Sequence, residues 1–333
     1  MSDIKQNELP RWRGFNLLEM FTTRSDGDFQ EDDFRWMAEW GFDFARIPAC
    51  YTLWIKDDDV YALDEAMLAK VDRVVRLGQR YGIHIDLNFH RGPGYSVNRE
   101  REEPFSLWRD QEALDAFIFH WETFAKRYRG ISSKDLSFNL INEPKNPTPE
   151  EMTREDHERV IRATVAAIRE IDPDRLIIID GLTWANDPVP ELADLDVAQS
   201  CRAYVPMGIS HYQASWVESE GWPEPTWPGA LHHGQPYDRE KLAAHYQRWA
   251  DLVAQGVGVH CGEGGAYNRT PHDVFLRWFR DVLDILTGHN IGYALWNFRG
   301  AFGILDSGRE DVSYEDWYGH TLDRELLELL QAY

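Results

Sequence analysis

The sequence predicts a single (β/α)8 barrel, and three observations carry that expectation. Short β-rich apolar runs alternate with longer amphipathic segments along the 333 residues, no low-complexity linker interrupts them, and the runs are too apolar for a sheet with one wet face. Eight such alternations fit a closed parallel sheet ringed by helices. A doubly wound open sheet is the rival. It usually carries a Gly-rich turn after its first strand, and GFNLLEMFTT at 14–23 is not one.

Residues 13–18 form the first expected strand, followed by a helix over 31–40 with an acidic start and Gly41 as its stop. The second strand is 42–49 (FDFARIPA). The helix over 64–81 carries Met67, Val71, Val74, Val75 and Leu77 on its apolar side and ends at Gly82. The third strand is 84–90 (HIDLNFH), then a loop over 91–109 and a helix over 110–129. The fourth is 136–142 (LSFNLIN), with a Pro-rich loop and a helix over 153–171. Strands five to eight are expected at 175–180 (RLIIID), 197–204, 256–261 (GVGVHC) and 291–298 (IGYALWNF). Between and after them come a short weak helix at 190–195 and longer ones at 238–255, 271–287 and 323–331.

Composition narrows the partners. With 35 Lys and Arg against 57 Asp and Glu, the formal charge is −22, and no basic run is present to recruit nucleic acid or anionic lipid. A neutral substrate is left open. No apolar run reaches the roughly 18 residues of a membrane span, and residues 1–14 lack the apolar stretch of a secretory signal, so a cytoplasmic location is expected for the chain as written. Cys50, Cys201 and Cys261 are too few and too scattered for a disulfide framework or a metal site, and are read as small buried side chains. The adjacent His232 and His233 lack a further ligand at metal-site spacing, and Asp57 to Asp59 read as a solvated loop. The unusual figure is aromatic: 14 Trp, 14 Tyr and 16 Phe. Many of the Trp sit in segments that also hold Gly and Pro.

A barrel builds its active site at the C-terminal ends of its strands. Here strand two ends near Arg46, strand three on His90, strand four on Asn142 and Glu143, and strand six near Arg202 and Tyr204. Strand seven leads to Glu263 and strand eight to Trp296. Two carboxylates facing each other across one mouth, with cations and aromatics beside them, suit the cleavage of a glycosidic bond. A retaining mechanism needs one carboxylic acid to protonate the leaving oxygen and a second carboxylate, about 5 Å away, as nucleophile. Aromatic rings supply flat apolar faces for pyranose rings.

Asn142-Glu143-Pro144 in FNLINEP, Glu263 in VHCGEGG, Arg46 in FARIP, His90 in NFHRGPGY and Trp296 in LWNF, in this order, resemble glycoside hydrolase family 5, the cellulase-like retaining glycosidases. The resemblance spans nearly the whole chain, from RGFN at 13–16 to the terminal helix. It implies a β-linked glucan or mannan, an oligosaccharide or a smaller β-glycoside as substrate, with no metal or organic cofactor. It also implies Glu143 as acid/base, Glu263 as nucleophile, Asn142 at the sugar 2-hydroxyl and Arg46 orienting Glu263. His90 would contact sugar hydroxyls, Trp296 would floor the subsite at the cleaved bond, and Tyr204 would donate to Glu263. The sequence departs from the family at strand six, where Arg202-Ala203-Tyr204 stands in place of His-x-Tyr. A permanent cation beside Glu143 would lower its pKa and oppose its role as an acid, so Arg202 is expected to be offset toward a substrate hydroxyl or another carboxylate, with His211 taking part of the vacated space.

Trp54, Trp108, Trp184, Trp216, Trp222 and Trp227 fall in strand-end loops as further sugar platforms, and the sequence does not choose among them. The Trp- and Pro-rich insertion at 208–237 is expected to close one end of the cleft, favouring exo-like or oligosaccharide action. A carbohydrate-binding barrel with lost catalysis is the alternative, Arg202 being its argument. Sugar identity, linkage and oligomeric state are left open.

Overall fold

The computed structural model describes residues 9–97 and 102–333. Most of the 1–14 segment and the middle of the 91–109 loop therefore lie outside the described residues. The barrel strands are β1 (Arg13–Asn16), β2 (Phe44–Cys50), β3 (His84–Gly92), β4 (Leu136–Asn139), β5 (Leu176–Asp180), β6 (Ala198–Ala203), β7 (Val259–Gly264) and β8 (Gly292–Leu295). All neighbours are parallel, β8 pairs with β1, and β2 pairs with β3, so the eight strands close on themselves. Outside them pack α1 (Glu31–Glu39), α2 (Glu65–Tyr81), α3 (Gln111–Tyr128), α4 (Arg154–Ile171), α5 (Arg239–Ala254), α6 (His272–Gly288) and α7 (Arg324–Gln331).

Local chemistry sets the helix ends. The Asp64 carboxylate accepts from the N–H groups of Ala66 and Met67, and α2 stops at Gly82 in the left-handed region, which only glycine enters without strain. A reciprocal capping box between Thr153 and Asp156 starts α4. Segment 190–195 is a 3-10 helix (Pro190–Leu195).

The strand period of two sorts the barrel into layers. Outward residues such as Ala45, Ile47, Ile85, Leu87, Ile177 and Ile179 join the large core between strands and helices. Inward residues at the N-terminal end form a separate apolar plug of Leu9, Trp12, Phe44, Leu176, Ile178, Ala198 and Ala294. Further along the barrel the inward positions turn polar: Arg46, Asp86, Asn139, Asp180, Ser200 and Arg202, all at most 2 % exposed. The strands that make the floor therefore also make the buried polar layer beneath the mouth.

Three boundaries differ from expectation for physical reasons. Residues 256–257 belong to the end of α5, where Gly256 and Val257 N–H groups bond back to Val253 and Leu252, so β7 starts later and contains Glu263. The fourth strand leaves the ladder after Asn139, and β8 after Leu295, so Asn142 and Trp296 sit on the loops just beyond. Gly14 permits the close approach of β1 and β2, since a Cβ there would lie 1.7 Å from the Phe44 carbonyl oxygen.

Candidate active site

Two irregularities aim side chains into the mouth. Between β6 and β7 the register steps from Cys261↔Cys201 to Glu263↔Arg202, leaving Gly262 as an extra residue. Between β2 and β3 it steps from Ala49↔Phe89 to Cys50↔Arg91, leaving His90 extra. Bulges of this kind turn a strand's next side chain toward a different direction. A Cβ at Gly262 would meet Ser200 Oγ at 2.6 Å, so any larger residue in the first of them would have to displace that buried hydroxyl.

Glu263 is 3 % exposed and fully engaged. Arg46 Nη1 donates to its Oε1 at 2.5 Å, the Tyr204 hydroxyl donates to its Oε2 at 3.0 Å, and Arg202 Nη2 stands 3.3 Å from Oε1. Arg46 is itself pinned: Nε donates to Asn139 at 3.0 Å, Nη1 to Asn16 at 3.1 Å and Nη2 to Asn142 Oδ1 at 2.8 Å. A guanidinium so fixed presents its charge to Glu263 with little freedom to move.

Glu143 follows Asn142 on the β4 loop and adopts φ 48°, the left-handed region that non-glycine residues avoid. Three contacts hold it there. Asp180 accepts its N–H at 2.9 Å, the Tyr95 hydroxyl donates to its carbonyl at 2.6 Å, and Arg202 Nε donates to its Oε1 at 2.9 Å. Its side chain keeps 15 % of its surface open at the mouth. Burial, then the nearby Glu263 charge, push its carboxyl up to about 8, against the opposing pull of Arg202. Two carboxyl groups thus share one site, and one of them holds its proton at neutral pH.

Asn142 Oδ1 accepts from both Arg46 and Arg202 at 2.8 and 3.0 Å, which fixes the amide orientation. Its Nδ2 is buried and has no partner among the described residues, which leaves one amide donor unspent beside the two carboxyl groups. His90 stacks on Trp296 with ring centroids 5.6 Å apart, and Phe21 meets both rings edge-on at 4.6 and 5.3 Å. Burial, then Arg46 and Arg202, hold the His90 imidazole well below its usual range, so it is neutral. His211 lies behind Tyr204 with centroids 5.2 Å apart and Nδ1 2.8 Å from Ser210 Oγ, and burial lowers it to about 4.

Arg202 turns to another carboxylate, Asp180, as expected, but it is not withdrawn from the acid. Besides Glu143 and Asn142 it makes a very short contact with Asp180 and bonds to Ser200 Oγ at 3.0 Å, so it fills its own place in the site and leaves none vacant for His211. The register explains this: inward positions of β6 are Ser200 and Arg202, directly between β5 and β7.

Asp180 is the member the sequence reading missed. It closes RLIIID, and an acid ending an otherwise apolar inward-facing strand was the available signal. Asp86 and Asn139, in the same layer, gave less, since Asp86 lies inside its strand and Asn139 inside the longer run LSFNLIN. Burial raises Asp86 to about 6, partly offset by Arg46.

The six loop Trp separate by exposure. Trp54, Trp108 and Trp227 are 0, 4 and 7 % exposed and pack as core, and Trp222 is half-buried. Trp184 and Trp216 are open, at 42 and 57 %.

A sequence model described as Cellulase (glycosyl hydrolase family 5) matches residues 3–301. Endoglucanase C of Acetivibrio thermocellus is 26% identical over 315 residues, covering 86% of this chain and 88% of that protein. Cellodextrinase A of Ruminococcus flavefaciens is 24% identical over 281 residues, covering 80% and 78%. A solved structure of a glycoside hydrolase is 44% identical, with a TM-score of 0.92 over 97% of this chain and 99% of that one. The chain belongs to glycosyl hydrolase family 5, and it is a glycosidase that hydrolyses O-glycosyl bonds.

Proposed function

We propose that this glycosidase cleaves β-linked glucan chains and oligosaccharides with net retention, using Glu263 as nucleophile and Glu143 as acid/base. The observation that carries the reading is the pair itself: Arg46 grips Glu263, while Glu143 across the mouth is pushed up to about 8. A Glu263 oxygen attacks the anomeric carbon and forms a glycosyl ester as the glycosidic C–O bond breaks, and the Glu143 proton goes to the leaving oxygen. Water then gives a proton back to Glu143 and its oxygen displaces Glu263, restoring the β configuration.

The walls support a sugar on each side of the cleaved bond. With β4 and β7 as dividing line, Trp296, His90 and Phe21 form one aromatic wall on the β8-β1-β2-β3 half. The other half holds β5 and β6, whose loops carry Trp184 and Trp216. The Leu182–Ala185 turn that presents Trp184 places Thr183, Trp184 and Ala185 at φ 55, 56 and 56°, a run that costs roughly 1–2 kcal/mol per residue. Trp184 N–H bonds to the Pro144 carbonyl at 2.9 Å, so this exposed ring is tied to the segment that carries Glu143. Trp216 stands edge-on to Tyr267 at 4.9 Å. The later part of the 208–237 insertion is drawn down to α6 by the Trp227 indole N–H, which donates to Asp281 at 2.8 Å. These features support a leaving-group side that accepts more than one sugar.

The names of the relatives at 26 and 24% identity, an endoglucanase and a cellodextrinase, support glucan. The test is hydrolysis of cellohexaose beside matched manno- and xylo-oligosaccharides. Cleavage of the glucan with early products of mixed length is expected, and release of the terminal sugar alone, or preference for mannan or xylan, contradicts the reading.

A further inference from the structure

Asp180 Oδ2 accepts both the Glu143 backbone N–H at 2.9 Å and the very short bond from Arg202 Nη2, and Oδ1 accepts from Asn139 at 3.0 Å. The residue is 1 % exposed and touches no open part of the mouth that a sugar would fill. Arg202 meanwhile donates from Nε to Glu143 Oε1 at 2.9 Å. A lone guanidinium there would lower the carboxyl it touches by roughly 1–3 pH units and leave it ionised, unable to protonate a leaving oxygen. Of the three carboxylates that Arg202 reaches, it meets Asp180 most closely, ahead of Glu143 and Glu263.

We propose that Asp180 is the counter-charge and positioning residue that makes a permanent cation compatible with an acid at Glu143: it takes up the Arg202 charge and fixes the acid's backbone, so that Arg202 orients a neutral carboxyl rather than ionising it. The proposal rests on the reading of Glu143 as the acid. With Oε1 occupied by the Arg202 Nε–H, the acidic proton belongs on Oε2. The groups facing Glu143 are Asp180 from β5, Arg202 and Tyr204 from the β6 end, Glu263 from β7, and the Tyr95 hydroxyl at its carbonyl. Burial, then Glu263 and Asp180, hold the Glu143 carboxyl up, and Arg202 pulls it down. The two members of the pair therefore act on the acid with opposite sign.

That opposition is measurable. The pH profile of kcat/KM is recorded on the best substrate with a sugar leaving group for wild type, Asp180→Asn, Arg202→Gln and the double variant. Asp180→Asn keeps an acceptor for the Glu143 N–H but removes the charge, and its alkaline limb is expected to move down by about one pH unit or more. Arg202→Gln is expected to move it up, and the double variant to return it toward wild type. A purely structural role moves rate or melting temperature and leaves the limb in place. Limbs that stay put in the folded single variants, or that move in the same direction, overturn the proposal. If Asp180→Asn does not fold, the double variant decides: a limb close to wild type supports the pair, and one shifted as far as that of Arg202→Gln refutes it. The underlying reading fails separately, if the wild-type alkaline limb persists with the same substrate in Glu143→Gln.

Discussion

Glu263→Ala is expected to abolish turnover of both oligosaccharides and aryl β-glycosides, with kcat falling on the order of 10⁴-fold or more, the scale seen when a nucleophile is deleted from a coupled catalytic set. The loss does not depend on the leaving group, because the bond that Glu263 forms is the same for every substrate. Two features make this variant a clean probe. The side chain is buried and held by Arg46, Tyr204 and Arg202, so its deletion leaves a small cavity lined by donors and does not disturb the helices. That cavity is also the right place for a small anion. Added azide is expected to restore turnover by attacking the anomeric carbon from the vacated side and to yield the α-glycosyl azide. The yield and configuration of that product check the assignment, since azide rescue to the β product places the missing group on the wrong face.

Glu143→Ala divides substrates by their leaving groups. Hydrolysis of a glucan oligosaccharide is expected to fall by about 10²–10⁴, the usual worth of a positioned general acid. A dinitrophenyl glycoside, whose leaving group needs no proton, is expected to form the glycosyl ester at near wild-type rate and then stall, giving a burst of phenolate. Azide then accelerates the second step and yields the β-glycosyl azide. The pH sign follows from the same carboxyl. Glu143 serves as acid only while protonated, and its pKa is raised to about 8, so wild-type kcat/KM on a sugar leaving group is expected to hold through neutral pH and fall as pH rises through about 8. A profile falling near the ordinary carboxylate range would contradict the assignment.

The fold was legible because a barrel strand is buried on both faces and its helix is not. Apolar runs such as FARIPA and RLIIID, alternating with helices like α2 that carry one apolar side and an explicit cap, leave few topologies open. Glu143 and Glu263 were legible because they stand at or just past strand ends. Asp180 ends its strand too, but a polar residue in or at the end of an apolar strand looks the same in sequence whether it faces a helix or the barrel axis, and Asn139 shares that ambiguity. Only the register decides that. That Arg202 needs another carboxylate follows from its charge, but which one does not: Asp180 arrives from β5, 22 residues away, and only the register places it there. The bulges at His90 and Gly262 also had no sequence signal beyond a glycine. Sorting the loop Trp required burial, which separates Trp54 from Trp184 although both follow a strand.

The central claim is that one carboxyl attacks while the other delivers a proton, and the configuration of the first product tests it most directly. Proton NMR of a β-glucan oligosaccharide, recorded within the first turnovers and before mutarotation, reads the new reducing end. The β anomer is predicted to appear first and the α anomer to grow in afterwards by mutarotation. Appearance of the α anomer first would mean a single displacement by water and would contradict a glycosyl ester on Glu263.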